Sequence, residues 1–236
     1  MKVAAILPAA GLGTRMRSPE HEGTSRKQFM LLDGSPILLH TVRKFLACPL
    51  VNEIIVALRA EDIRWVGEMV NRENPTKPIH LVEGGDSRQQ SVQNALGAVS
   101  PGIDFVAVHD AVRPFVDQEI LTKVIQQAGE TGAAIVGIVP VDTVKQVHLN
   151  KVRATLPRDK LILTQTPQVF RRDLLEKAFA KASADGFVGT DESSLVERLE
   201  DVEITVIPGS DRNIKITKPS DMELARFFLA EEKAHA

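Results

Sequence analysis

Short apolar runs alternate with amphipathic segments along most of this chain, and that alternation constrains its fold more than any other feature. Residues 3–7 form an unbroken apolar run, the mark of a strand buried on both faces. Further strand-like runs lie at 53–58, 79–82, 105–108, 133–139 and 203–207. Helical spacing marks residues 36–46, 61–70, 88–96, 117–129, 171–183, 192–199 and 220–231, with Pro36 suited to a first turn and Asp117 to a cap. Strands alternating with helices predict an α/β three-layer sandwich with a mostly parallel, twisted sheet. Sheets of that kind bind ligands beyond the carboxyl ends of their strands.

Three clusters of small or polar residues each follow a predicted strand, which makes them candidates for one shared site. The first is Pro8-Ala-Ala-Gly-Leu-Gly-Thr-Arg-Met16. Its small residues Ala9, Ala10, Gly11 and Gly13 allow a ligand close to backbone N–H groups, a geometry suited to phosphate, and Arg15 adds a cation. Only two glycines are present, so the string is neither the dinucleotide fingerprint nor a Walker loop. Lys27, in Arg26-Lys-Gln-Phe29, is a second cation that could flank the cradle. The next cluster, Gly85-Asp-Ser-Arg-Gln-Gln-Ser91, opens a helix that Asp86 is suited to cap. In the third, Val108-His-Asp-Ala-Val-Arg-Pro114, Asp110 offers an acceptor and Arg113 a phosphate clamp in one turn.

Between 141 and 165 the pattern changes. Residues 144–148 and 152–156 alternate around Leu149-Asn-Lys151, which is turn chemistry, and predict a β-hairpin with little core of its own. Such a hairpin needs something to pack against, either a partner subunit or its own domain. No linker or repeat divides the chain, so a single domain over 1–236 with an inserted arm at 141–165 is expected. A net charge of −2 argues against a generic nucleic-acid binder. The single Cys48 excludes an internal disulfide and fits a reducing compartment. No stretch approaches a membrane span, and a cytoplasmic location is expected.

The first string resembles the signature of nucleotidyltransferases that couple an NTP to a sugar or polyol phosphate. The second resembles the base- and ribose-reading segment of the cytidylyltransferases among them, with Gly85, Asp86, Arg88 and Ser91 in matching positions. The third is similar to that of the cytidylyltransferases of the non-mevalonate isoprenoid pathway, which act on 2-C-methyl-D-erythritol 4-phosphate, and of the related ribitol-5-phosphate enzymes. Asp142-Thr-Val-Lys145, Arg158, Thr164-Gln-Thr-Pro-Gln168, Gly189-Thr-Asp-Glu192 and Asn213-Ile-Lys-Ile-Thr217 match further along, in order. The loop between Met16 and Arg26 is longer than is typical of the family.

The resemblance implies a Rossmann-like fold of the nucleotide-diphospho-sugar transferase type with a protruding dimerisation arm. It implies a CTP site formed by Pro8, Ala9, Ala10, Gly11, Gly13, Gly85, Asp86, Arg88 and Ser91. Arg15, Lys27, Arg158 and Lys215 would be catalytic. Asp110, Ala111, Arg113, Thr143, Arg158, Thr166, Thr190 and Lys215 would hold the polyol phosphate, with Thr143, Arg158 and Thr166 serving the partner's site in a homodimer. Mg²⁺ would accompany the triphosphate, with Asp110 as its best carboxylate. His109 reads as structural. The implied reaction joins CTP to methylerythritol phosphate with release of pyrophosphate. Ribitol 5-phosphate as acceptor and a silent nucleotide-binding regulator are the alternatives.

Overall fold

The structure, a computed structural model, describes residues 1–11 and 26–234. Strand β1 (Val3–Pro8) is followed by a 3-10 turn at Lys27–Phe29 and a small ribbon, β2 (Leu31–Leu32) with β3 (Ser35–Pro36). Then come α1 (Ile37–Ala47), β4 (Val51–Leu58), α2 (Ala60–Asn71), β5 (Ile79–Glu83), α3 (Arg88–Gly97) and β6 (Phe105–Val108). The second half holds α4 (Gln118–Thr131), β7 (Ala133–Ile138), β8 (Val144–His148), β9 (Lys151–Leu156), β10 (Leu163–Arg171), α5 (Arg172–Ala184), α6 (Glu192–Val196), β11 (Thr205–Pro208) and α7 (Pro219–Ala234).

Seven strands form one sheet in the order β11-β7-β10-β6-β1-β4-β5. Six run parallel, and β10 alone is antiparallel, hydrogen-bonded between β6 and β7. The mostly parallel sheet expected from the alternation is therefore present. Side-chain parity along β1 sorts the two faces. Val3, Ala5 and Leu7 join a core with Leu38 and Phe45 of α1, Val66 of α2 and Leu121 and Ile125 of α4. Ala4 and Ile6 join the opposite core with Val92 of α3, Leu175 and Phe179 of α5 and Leu195 of α6. A third cluster packs α7, through Met222 and Ala225, on Leu32, Ile37, Val112, Phe115 and Ile216.

Helix ends follow local chemistry. Asp117 caps α4 by accepting from Glu119 N and Ile120 N, and Gly132, at φ 88°, ends the helix in the left-handed region that glycine tolerates. The hairpin β8–β9 stands as a separate two-stranded sheet. Its two-residue turn, Leu149-Asn150, has positive φ at both positions, the geometry whose twist matches the strands. Several expected boundaries move: α6 ends at Val196, the last strand runs from Thr205 to Pro208, β4 starts at Val51 and α7 extends to Ala234.

Strand β10 was not expected from the pattern. Pro167 interrupts it, its register with β7 slips between Thr164 and Gln168, and Gln165, Thr166 and Gln168 are buried along it. A strand whose polar side chains are paired inside the protein has no periodicity to read. Phe170, fully buried, ties β10 to the core over α5. Phe170→Ala is expected to cost about 3–5 kcal/mol in unfolding free energy, measured by denaturant titration.

Candidate functional site

The parallel strands β1, β5, β6 and β11 all end on one edge of the sheet. The antiparallel β10 starts there. At this edge the first two clusters touch. The chain after β1 extends the ladder through Ala9 N to Ala57 O at 2.7 Å, and the chain after β5 does so through Gly84 N to Leu58 O at 2.6 Å. A Cβ on Gly84 would lie 2.6 Å from Cβ of Ala10, so glycine is what permits this approach.

Gln28 connects Lys27 to the cradle. Its Nε2 donates to Ala9 O at 2.7 Å and to Gly11 O at 3.0 Å from a buried position. Lys27, half-buried and one residue earlier, therefore starts a turn fastened to the cradle rim. Gly13 and Arg15 lie outside the described residues.

The second cluster differs from expectation at its cap. Ser87, not Asp86, caps α3, accepting from Gln90 N at 3.0 Å, and Asp86 stands exposed one residue earlier. Ser91 is buried, and its hydroxyl holds the turn together. It accepts from Gly85 N at 3.0 Å and donates to Ser87 O at 2.8 Å.

Asp110 is the centre of charge. Its side chain is 8% exposed and meets three cations, one from its own turn and two from segments remote in sequence. Lys215 Nζ lies at 2.9 Å, Arg113 Nε at 3.1 Å and Arg88 Nε at 3.4 Å. Burial by itself would raise the Asp110 pKa, but Lys215, Arg88 and Arg113 outweigh it and hold the carboxyl well below the usual range. Arg88 is also gripped by both oxygens of buried Glu192, at 2.6 and 2.9 Å. Burial pushes the Glu192 carboxyl up against the pull of Arg88.

Packing explains how these residues meet. Ile216 N donates to Val112 O at 3.0 Å, and both side chains lie in the core under α7, which sets Lys215 beside Asp110. Arg113 NH1 reaches Asn213 O at 2.7 Å. Behind Asp110, Thr166 Oγ1 accepts from Asp110 N at 3.0 Å and pairs with His109 Nδ1 at 3.1 Å. Strand β10 works as a polar spine here. Gln165 bonds Ser210 O and Asn213, and Gln168 bonds Asp191 and Ser193 N at the start of α6.

Thr166 is buried against Asp110 of its own chain. Ala111 is buried, with its carbonyl accepting from Thr41. Asp110 does not fit as a Mg²⁺ ligand, because both its oxygens face cations, and no group of three or more acidic, His or Cys side chains among the described residues could hold a metal. Thr190 is exposed beside Asp191, which caps α6. Thr143 and Arg158 are exposed at the base of the hairpin, and neither bonds to the Asp110 cluster among the described residues. His109 is structural, as expected: buried, with Nε2 on Arg113 O at 3.0 Å. Gln28, Gln165, Gln168, Glu192 and Asn213 had no assigned role, since they are polar residues whose partners are remote in sequence.

The sequence model of the 2-C-methyl-D-erythritol 4-phosphate cytidylyltransferase family matches residues 3–231. The chain belongs to this family. A cytidylyltransferase of that name from Solibacter usitatus is 65% identical over 243 residues, covering 100% of this chain and 99% of the relative. One from Acidobacterium capsulatum is 48% identical over 239 residues, covering 99% of this chain and all of the relative. The crystal structure of the Francisella tularensis 2-C-methyl-D-erythritol 4-phosphate cytidylyltransferase aligns with a TM-score of 0.79 and 35% identity, over 96% of this chain and 99% of that one. The 4-diphosphocytidyl-2C-methyl-D-erythritol synthase of Anaerococcus prevotii aligns with a TM-score of 0.85 and 30% identity, over 97% and 96%. As a cytidylyltransferase-family fold, the chain carries the α/β architecture that the resemblance implied, and these matches do not favour the ribitol-5-phosphate alternative.

Burial lowers the His109 pKa from 6.5 to about 4. Unfolded histidine takes up a proton near its ordinary pKa while the folded ring stays neutral, so stability is full above pH 6.5 and falls as pH drops toward 4. The loss from this group is on the order of 3 kcal/mol. Denaturant titrations between pH 7 and 4 should show a shallower fall in His109→Asn than in the native protein.

Proposed function

We propose that this chain performs the reaction for which its family is named, with the cation ring at Asp110 receiving the acceptor. The enzyme transfers the cytidylyl group of CTP to 2-C-methyl-D-erythritol 4-phosphate. An oxygen of the acceptor's phosphate forms a bond to the α-phosphorus of CTP. The bond from that phosphorus to the bridging oxygen breaks, and pyrophosphate leaves. A phosphate monoester is already an adequate nucleophile, so no strong general base is needed, in keeping with the structural bonding of His109.

The observation that carries this reading is the set of three cations on Asp110 beside the backbone cradle. A dianionic phosphate draws on Lys215 and Arg113, and the polyol hydroxyls donate to Asp110. Arg88 stays fixed by Glu192 at the join between the nucleotide and acceptor halves. Lys27 and Arg15 stabilise the charge that develops on the α-phosphate and the departing pyrophosphate. Mg²⁺ is part of the proposal, and it would neutralise part of the triphosphate's charge.

A homodimer through the 141–165 arm is likewise proposed. Its support is a two-stranded sheet outside the main sheet with Val147, Leu149 and Val152 exposed, a hairpin too small to be stable alone. Thr143 and Arg158, at its base, would reach the neighbour's acceptor phosphate. No helix among the described residues is long and apolar enough to cross a membrane, and we place the enzyme in the cytoplasm.

With CTP and Mg²⁺, pyrophosphate release is expected with methylerythritol phosphate; release with ribitol 5-phosphate alone would overturn the reading. In the same assay Lys215→Ala should lower kcat/KM for the acceptor about 100-fold. Sedimentation is expected to give a dimer, and a monomer with full activity would rule out a shared site.

A further inference from the structure

Lys27 sits between two anchors, and only one belongs to the cradle. On one side Gln28 bonds Ala9 O and Gly11 O. On the other, Arg26 pairs through NH2 with Asp62 in the first turn of α2, and its NH1 lies 3.5 Å from Glu61. Asp62 is 2% exposed, and its Oδ1 also accepts from Trp65 Nε1 at 3.2 Å. Phe29 closes the arrangement. Its ring meets Trp65 edge-on at 4.6 Å, and the Arg26 guanidinium lies over its face at 5.2 Å. Helix α2 is itself fastened to the sheet by Val66 and Val70.

We propose that Asp62, acting through Arg26, is a positioning residue for Lys27. Burying a carboxylate and a guanidinium together costs desolvation, and a buried pair of this kind gives orientation more than stability. The site is where orientation has value. A lysine side chain is long and has many rotamers, so its ammonium reaches a fixed point only if the backbone under it is held. Here residues 26, 28 and 29 are each held by a separate contact, and the contact at 26 transmits the frame of α2 to the cradle rim. Displacing a charge-stabilising group by an ångström is enough to cost about 100-fold in rate.

The inference rests on the role given to Lys27 above, and the test separates the two. Asp62→Asn keeps an acceptor for Trp65 but removes the charge. Arg26→Met keeps the stem over Phe29 and removes the guanidinium. Each is measured alone and in a Lys27→Ala background for kcat, KM for CTP, thermal midpoint and tryptophan emission. Trp65 is the chain's single tryptophan, so its emission reports on the anchor without reference to activity.

Both variants are expected to lower kcat about 10- to 100-fold with KM for CTP nearly unchanged, to shift Trp65 emission, and to add nothing once Lys27 is alanine. Full kcat in Lys27→Ala would overturn the Lys27 role and this proposal with it. A low kcat in Lys27→Ala with full kcat in both anchor variants would overturn the proposal alone. Loss in Arg26→Met with full kcat in Asp62→Asn would assign the effect to the guanidinium itself and also overturn it. If both variants fail to fold, the pair is a stability element and the positioning role is overturned.

Discussion

The site depends on one buried carboxylate. Asp110 draws Arg88, Arg113 and Lys215 from three parts of the chain into one turn at the sheet edge. Three cations would repel one another at that spacing. A carboxylate among them, kept ionised by them, turns the repulsion into a cohesive cluster. The same balance leaves both oxygens of Asp110 facing cations. With Glu192 holding Arg88, the group retains a net positive character, and its donors are already aimed at one region.

That cluster needs a rigid backing, which β10 supplies. As the one antiparallel strand, it begins at the edge where the parallel strands end, so its early residues come up behind the site. Thr166 orients the Asp110 backbone and His109, Gln165 holds the 210–213 turn, and Gln168 clamps the start of α6. A buried polar network of this kind is costly when incomplete and stiff when satisfied. The cradle after β1 and β5 is built more simply, from small residues whose backbones approach closely. There Gly84 against Ala10 and Gln28 against two carbonyls do the joining.

Local chemistry was readable wherever partners lie close in sequence. Asp110 and Arg113 stand three residues apart in one turn. Asp117 caps the helix it precedes, and the hairpin turn expected over Leu149-Asn-Lys151 forms at Leu149-Asn150. Remote partners left no mark in the string: Gln28 bonds the carbonyls of Ala9 and Gly11, and Gln168 bonds Asp191. Asp86 and Ser87 are adjacent helix-capping residues, and only backbone geometry decides between them. Nothing near Thr166 in sequence reveals that it lies behind Asp110.

The sequence alone determined the class of fold and the sheet edge at which its small and polar clusters gather. Apolar runs alternating with helices permit little besides a parallel sheet, and small polar clusters after such strands must gather at its carboxyl edge. Ordered motifs from the cradle to Lys215 carried the family. The tertiary structure decided which side chains meet. It inserted β10, a strand without periodicity because its polar side chains are satisfied inside the protein. It set Lys215 on Asp110 by packing Ile216 against Val112 under α7. It also fastened the turn at Lys27 to the cradle through Gln28 and to α2 through the Arg26–Asp62 pair. Such contacts join residues tens to more than a hundred positions apart, and their geometry exists only once the core has folded.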